Sequence, residues 1–595
     1  MTDIARERAD LADRSLRDRA VRAAKGLAPF DRLISGGTLV DAVTGELRLA
    51  DIGLCGPLIA SVHAPGARSD AKEITDASGL FVAPGLIDTH MHVESSMVTP
   101  ASYAEAVLPR GVTTIVWDPH ELGNVHGMEA VDWAIRAALP LPLRIILLAP
   151  SCVPSAPGLE TSGADFGGEE LTALLDRDAI GGVAEVMNMQ GVIDRAPRMT
   201  DVVQAGLESG KLVCGHARSL EGADLNAFMA AGITSDHELT SGEDLMRKLR
   251  AGLTIELRGS HDHLLPEFVQ TLNKLGALPS TLTLCTDDVF PDDLYEKGGL
   301  NDVAARLVRY GLSPVWAVQA ATLNAAHRLG RSDLGLITPG RRADIVLFED
   351  LESFAAAKVF ANGDLVAENG RLTAPVAQTD TALLSNSVHC GQVSPDDFRI
   401  RSNGRTVEVA TIDRPRFTRW GSARTGVEDG FVVPPPGATL ISVIHRHGRA
   451  EARPMTGFLT SWGDWRGAFC TTVSHDSHNV TVFGGNEEDM ALAANWVISR
   501  QGGMAVAKDG SILAGLALPL SGLITGAPLA EAAHNFAVVR QAMEEIVTWQ
   551  PPYLIFKACF GASLACNAGP HQTDLGIADT GLPEPMKSPV LRVID

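Results

Sequence analysis

Residues 82–96, VAPGLIDTHMHVESS, run an apolar strand straight into two histidines spaced i, i+2. Side chains two apart on a strand point the same way, so His90 and His92 converge on one point beyond the strand's end. A pair of neutral imidazoles held on rigid backbone is half of a divalent-metal site. The remaining ligands must come from other stretches of the chain.

From residue 81 onward, short runs rich in Val, Ile and Leu alternate with longer helical patterns, as parallel strands joined by crossover helices do. The runs are 84–92 (PGLIDTHMH), 113–118 (TTIVWD), 143–150 (LRIILLAP), 182–187 (GVAEVM), 212–216 (LVCGH), 233–237 (ITSDH), 253–257 (LTIEL) and 282–287 (LTLCTD). Eight such units over about 250 residues predict an α/β fold built on a TIM-like (β/α)8 barrel, spanning residues 81–334. Residues 30–80 and 335–375 share a texture of short strands with Gly and Asp turns, which predicts one small β-sandwich built from both flanks of the barrel. Residues 1–29 read as a helical extension, and residues 380–595 as a C-terminal mixed α/β domain with runs such as TLISVIH and EEDMALAANWVISRQ.

Bulk properties narrow the function. The 595 residues carry 50 Lys and Arg against 72 Asp and Glu, a formal charge of -22, which repels nucleic acid and acidic membrane surfaces. The partner expected is therefore a small molecule, and a homo-oligomer, dimer or larger, is expected for a chain of this size. Eight scattered cysteines without a CxxC pair read as buried thiols in a reducing compartment. The N-terminal stretch alternates charges at helical spacing and has no apolar segment of the kind a signal peptide needs, so the cytoplasm is expected. Residues 511–530 carry no charge, yet Pro519, Pro528, Gly515, Gly522 and Gly526 interrupt them; they read as a buried strand and loop rather than a membrane helix.

In a (β/α)8 barrel the chemistry lies at the C-terminal strand ends. Strand one closes with His90 and His92, strand two with Asp118, His120 and Glu121, strand five with His216, strand six with His237 and strand eight with Asp287, while strand four carries Glu185. Strands three and seven offer no such ligand type. Two cations a few ångströms apart repel each other, and a carboxylate spanning them offsets that repulsion, so Glu185 argues for two metals. His90, His92 and Asp287 are assigned to the first and His216 and His237 to the second, with Glu185 serving both. Metal coordination lowers the pKa of water from about 15.7 to about 7, and Asp287 can carry its proton to a leaving group. The reaction class is metal-assisted hydrolysis at an electrophilic carbon.

Asp118 and Glu121 lie beside this centre and can accept hydrogen bonds from ring N–H or amino groups of a neutral heterocycle. Glu94 is placed past the end of strand one, and Asp236, Glu238 and Asp288 are read as neighbours that orient ligands. A second set of histidines, His445 and His447 in SVIHRHG and His475 and His478 in SHDSHN, lacks an accompanying series of strand-end ligands, and surface or interdomain polar contacts are expected there. The stretch VFGGNEED reads as a strand-to-helix turn with an acidic helix start.

PGLIDTHMH before a barrel, a strand-four acid, single histidines ending strands five and six and an aspartate ending strand eight resemble the amidohydrolase superfamily of metal-dependent hydrolases, over roughly residues 30–375. VESSMVTP, VWDPHELGNVHG, GHARSLEGADLNAFMAAGITSDHE, SHDSHN and GGNEEDMALA resemble the bacterial adenine deaminases, which extends the likeness over nearly the whole chain. That resemblance implies hydrolytic conversion of adenine to hypoxanthine and ammonia in purine salvage, at a dinuclear centre preferring Mn2+, with Fe2+ or Zn2+ as alternatives. It implies His90, His92, Glu185, His216, His237 and Asp287 as metal ligands, Asp287 and Glu185 as catalytic residues, and Asp118 and Glu121 as substrate-binding residues. The implied mechanism is hydroxide addition at C6, a tetrahedral adduct, and loss of ammonia after proton delivery from Asp287. An alternative on the same scaffold is hydrolysis of a cyclic amide, and a non-catalytic scaffold relative would show eroded ligands. The histidine pair His261 and His263, in RGSHDHLLPEF, departs from the family's pattern of small and charged residues there.

Overall fold

A computed structural model describes residues 10–549 and 554–595. The first nine residues of the predicted N-terminal extension lie outside the described residues. A helix over Arg14–Ala24 starts at Asp13, whose side chain accepts the Leu16 N–H. It buries Leu16, Ala20 and Ala23 against Phe30, Leu33 and Leu58 of the neighbouring strands.

Strands Phe30–Asp41, Glu46–Cys55, Leu58–His63, Ala71–Asp76 and Phe81–Pro84 share one nine-stranded sheet with Ile345–Phe348, Ala356–Ala361, Asp364–Glu368 and Arg371–Leu372. The two flanks meet where Phe81–Pro84 pairs antiparallel with Ile345–Phe348, Ile345 opposite Pro84. Ile34, Ile52, Ile59, Val82, Leu347 and Phe360 form the apolar core on this sheet. Because Phe81–Pro84 leads through Gly85 directly into the first barrel strand, this sheet anchors the segment that carries the HxH pair.

The eight barrel strands are Leu86–Met91, Val112–Trp117, Arg144–Ala149, Ile180–Val186, Leu212–Gly215, Ser235–Asp236, Thr254–Arg258 and Leu282–Cys285. The first five pair in parallel in chain order, as do the last three. Nearly every residue in them is buried, the signature of strands covered on both faces. The ring closes where Met91 bridges Asp287 and the Asp287 N–H donates to His90 C=O at 3.0 Å. Strands five and six meet through a single backbone bond, Thr234 N–H to Val213 C=O. At that seam a side chain at position 215 would lie 2.3 Å from Ile233 Cγ2 and from the Ser235 carbonyl, so only glycine lets the strands approach just before His216.

The C-terminal region builds a ten-stranded sheet around Thr406–Asp413, Thr439–Ile444, Met455–Thr460, Ala468–Thr471 and Val480–Gly484. The helix Glu487–Ser499 starts at Asn486, whose side chain accepts the Asp489 N–H, and carries three acids in its first turn, where the helix dipole favours them. The uncharged stretch 511–530 departs from its expected burial. Its strand, Ser511–Ala517, pairs with Gly503–Lys508 at the end of the sheet's strand order and leaves alternate residues exposed, while the loop after it is mostly buried. Among the described residues no helix is long and apolar enough to cross a membrane. All eight cysteines are free thiols, seven of them buried.

Candidate metal centre and active-site cavity

The six strand-end residues predicted as ligands come together at one end of the barrel, all buried. Glu185 lies among the four imidazoles. Its Oε1 faces His90 Nε2 at 3.6 Å and His92 Nε2 at 3.3 Å, and its Oε2 faces His216 Nδ1 at 2.7 Å and His237 Nε2 at 3.3 Å. Asp287 Oδ1 lies 3.6 Å from His90 Nε2 and 3.5 Å from His92 Nε2. One carboxylate oxygen therefore serves each histidine pair.

Five of these six separations, at 3.3–3.6 Å, fit a metal better than they fit direct pairing, while His216 Nδ1 and Glu185 Oε2 at 2.7 Å are within hydrogen-bond distance. Two ligand atoms about 2.1 Å from a tetrahedral cation stand about 3.4 Å apart, whereas a hydrogen bond to nitrogen prefers about 2.9 Å. His90 Nε2 is buried without a hydrogen-bond partner among the described residues. His92 Nδ1 lies 3.1 Å from the Asp118 carbonyl, an arrangement that fixes the ring and leaves Nε2 facing the carboxylates. The donor set, imidazole and carboxylate, suits a divalent ion.

The neighbouring side chains explain how the ligands are held. Asp88, two residues before His90, accepts from the Thr286 N–H at 3.0 Å and the Thr286 hydroxyl at 2.6 Å. Asp287 follows at φ +58°, a left-handed conformation that aspartate tolerates better than most residues. Asp236 sits between His216 and His237, accepting from the Ala217 and Glu238 N–H groups and paired at 2.8 Å with the fully buried Lys248.

Arg258, the last residue of strand seven, places its guanidinium between Asp287 Oδ2 and Glu238 Oε1, the latter at 2.7 Å. Burial acts to raise the Asp287 carboxyl, but the adjacent Arg258 charge together with the imidazoles of His90, His92 and His237 outweighs it and holds Asp287 well below the usual carboxylate range. Burial likewise acts against ionised Glu185, and the surrounding imidazoles, His237 first, bring it well below its ordinary value. Strand seven thus does contribute to the site, one residue beyond the run 253–257 and with a cation rather than a ligand.

The two predicted substrate residues part company. Glu121 lines the cavity beside the centre, fully buried, with Oε2 unpartnered among the described residues. Burial raises its carboxyl. Asp118 does not line the cavity. Its oxygens turn to the His120 backbone N–H at 3.1 Å and to His120 Nδ1 at 2.9 Å, so it braces that ring while one oxygen stays within 4.8 Å of ligand atoms of His92 and Glu185. Glu94 accepts from Trp117 Nε1 at 2.8 Å and the Leu122 N–H at 3.3 Å, which ties the helix His120–His126 to the first two strands.

The C-terminal histidines are not at the surface. His445 and His478 are buried, His447 Nε2 is 2.7 Å from the Ser477 carbonyl, and His475 lines the cavity together with Asp476 and Lys557. Burial brings the Lys557 ammonium down to about 8. His261 lines the cavity and contacts Arg258 and Arg416, whereas His263 lies on an adjacent one. SHDSHN stands out in the sequence, but nothing local to the motif says that its loop docks on the barrel mouth.

The amidohydrolase family model matches residues 81–366, and the model of the adenine deaminase C-terminal domain matches residues 415–582. A protein named adenine deaminase 2 from Rhizobium johnstonii is 69% identical to this chain over 99% of each sequence. An adenine deaminase of Klebsiella pneumoniae is 50% identical over 95% of this chain and 94% of its own. One from Moorella thermoacetica is 39% identical over 88% and 90%.

Proposed function

The chain belongs to the adenine deaminases of the amidohydrolase family, and from that premise we propose that it hydrolyses adenine to hypoxanthine and ammonia at the cavity above Glu185. The observation that carries the reading is the division of the Glu185 carboxylate between two histidine pairs. We assign His90, His92 and Asp287 to one divalent ion, His216 and His237 to a second, and Glu185 to both, with Mn2+ favoured over Fe2+ and Zn2+. When bound, such ions supply Lewis-acid charge and make hydroxide available near neutral pH.

The chain's own residues do the rest. Water adds to C6 of the purine, the C6–N6 bond breaks, and ammonia leaves. Asp287, kept ionised by Arg258, accepts the proton of the attacking water and delivers it to the departing nitrogen. Glu121 offers a buried acceptor to a purine N–H, and Asp118 supports it by fixing His120. The cavity measures about 130 Å³, on the scale of a site for one small ring. In this reading the protein works in purine salvage in the cytoplasm, with reduced thiols, as a homo-oligomer.

The test is ammonia release by metal-reconstituted protein offered adenine, adenosine, guanine and cytosine. Adenine alone should yield ammonia. Activity on adenosine but not adenine, or a ring-opened product from a cyclic amide, would overturn the assignment.

A further inference from the structure

Five side chains of alternating type run across the junction between the barrel and the C-terminal region. Asp118 Oδ2 is 2.9 Å from His120 Nδ1, His120 Nε2 is 3.7 Å from Asp476 Oδ1, that oxygen is 3.6 Å from His475 Nδ1, and His475 Nδ1 is 3.5 Å from Glu121 Oε1. The series starts in the turn after barrel strand two and ends in the helix His120–His126. Its centre, Asp476 and His475, comes from the loop between the strands Ala468–Thr471 and Val480–Gly484 of the C-terminal sheet.

The backbone holds that centre firmly. The His475 N–H donates to the Phe560 carbonyl at 2.9 Å, and the His475 carbonyl accepts from Ser563 Oγ at 3.0 Å. Asn479 Nδ2 donates to the Thr161 carbonyl at 2.9 Å, in the loop after barrel strand three, and the Thr161 N–H donates to Asp574 at 2.9 Å. The loop bearing His475 and Asp476 is therefore pinned to the C-terminal segment 560–563 at one end and to the barrel loop at Thr161 at the other.

At the far end of the series, Glu121 has one oxygen facing His475 and the other, Oε2, buried and unpartnered among the described residues while the residue lines the cavity. An unpaired buried acceptor is costly, and a ligand N–H would satisfy it. We propose that His475 and Asp476 are positioning residues for the substrate: Asp476 fixes the rings of His120 and His475, and His475 turns Glu121 so that Oε2 receives a ring N–H of a flat, neutral heterocycle. The inference rests on the adenine deaminase reading and deepens it, since it makes the C-terminal region part of base recognition. The outer separations, 3.5–3.7 Å, are ion-pair rather than hydrogen-bond distances. Such contacts shorten when a ligand occupies an open site.

The experiment compares His475→Ala and Asp476→Asn with the wild type and with His445→Asn, a buried change in the same region that faces Asp574 and does not line the cavity. Kinetics of the metal-reconstituted proteins on adenine are paired with calorimetric binding of hypoxanthine to the metal-free proteins. Both positioning variants should raise KM and weaken hypoxanthine binding by about tenfold or more, with kcat within about threefold and metal content unchanged. His445→Asn should leave KM as in the wild type. Folded variants with unchanged KM and hypoxanthine affinity, or with lost kcat at unchanged KM, would overturn the inference while leaving the deaminase reading intact. If Asp476→Asn does not fold, His475→Ala decides alone, its side chain being 18% exposed. A wild type that neither deaminates adenine nor binds hypoxanthine would overturn both.

Discussion

Arg258 ends barrel strand seven with its guanidinium on Asp287, the residue that ends the next strand's run, and reaches Glu238 Oε1 at 2.7 Å with the same nitrogen. All three are buried, and Glu238 keeps a second cation in Arg218 at 3.0 Å, so the carboxylate that depends most on Arg258 is Asp287. Losing one partner of such a cluster typically costs about 3–5 kcal/mol, because the charge left behind stays buried. Arg258→Met should therefore lower the melting temperature of the metal-free protein clearly. Metal loading should restore part of that loss, since a cation on Asp287 replaces the missing charge. Equal losses with and without metal, measured by calorimetry, would detach Asp287 from the metal centre.

The position of Glu185 between the histidine pairs predicts a result for Glu185→Gln. An amide carries no charge to offset two cations, so metal content should fall from two equivalents toward one or none. Outer partners of metal ligands alone cost about 10–100-fold, so kcat/KM for adenine should fall by more than about 100-fold. Elemental analysis of the purified variant reads the first effect, and unchanged loading would remove the bridging role.

Glu160, in the loop after strand three, accepts from Ser155 Oγ at 2.7 Å and the Ala156 N–H at 3.0 Å. Burial, followed by the charge of Asp476, pushes its carboxyl from an ordinary 4.5 up to about 7. Between those values the folded chain holds a proton that the unfolded chain has lost. The stabilisation is complete below the unfolded value and is lost as pH rises through about 7, on the order of 3 kcal/mol in total. Glu160→Gln, which stays neutral, should flatten the fall in melting temperature between about pH 5 and pH 8. A variant with the wild-type slope would show that another group controls this range.

Metal removal should also destabilise the chain. Ligands that bind only the folded state add RT ln(1 + [L]/Kd), about 4 kcal/mol at a thousandfold excess over Kd. A chelator should lower the melting temperature, and returning Mn2+ should restore it. A melting curve indifferent to chelation would argue against a tightly held ion.

Much of this site was legible because barrel strands write their chemistry at fixed places. Apolar runs of five to nine residues located all eight strands, and the polar residue after each run named His90, His92, His216, His237 and Asp287. Glu185 stood out as an acid inside such a run. Three things were not legible. Arg258 extends strand seven by one residue past an apolar run that stops at Leu257. Asp118 and Glu121 look equivalent in WDPHELGN, yet the helix that starts at His120 turns Asp118 back onto its first N–H and leaves Glu121 facing the cavity. His475 and Asp476 reach the barrel mouth through packing between segments far apart in sequence, which no local pattern encodes.

The central claim is that Glu185 stands between two cations. Anomalous diffraction from crystals of the Mn2+-loaded protein tests it most directly. Two peaks about 3.5–4 Å apart should appear, one near Nε2 of His90 and His92 and the other near Nδ1 of His216 and Nε2 of His237. A single peak, or density beside His475 and His478 instead, would contradict the account.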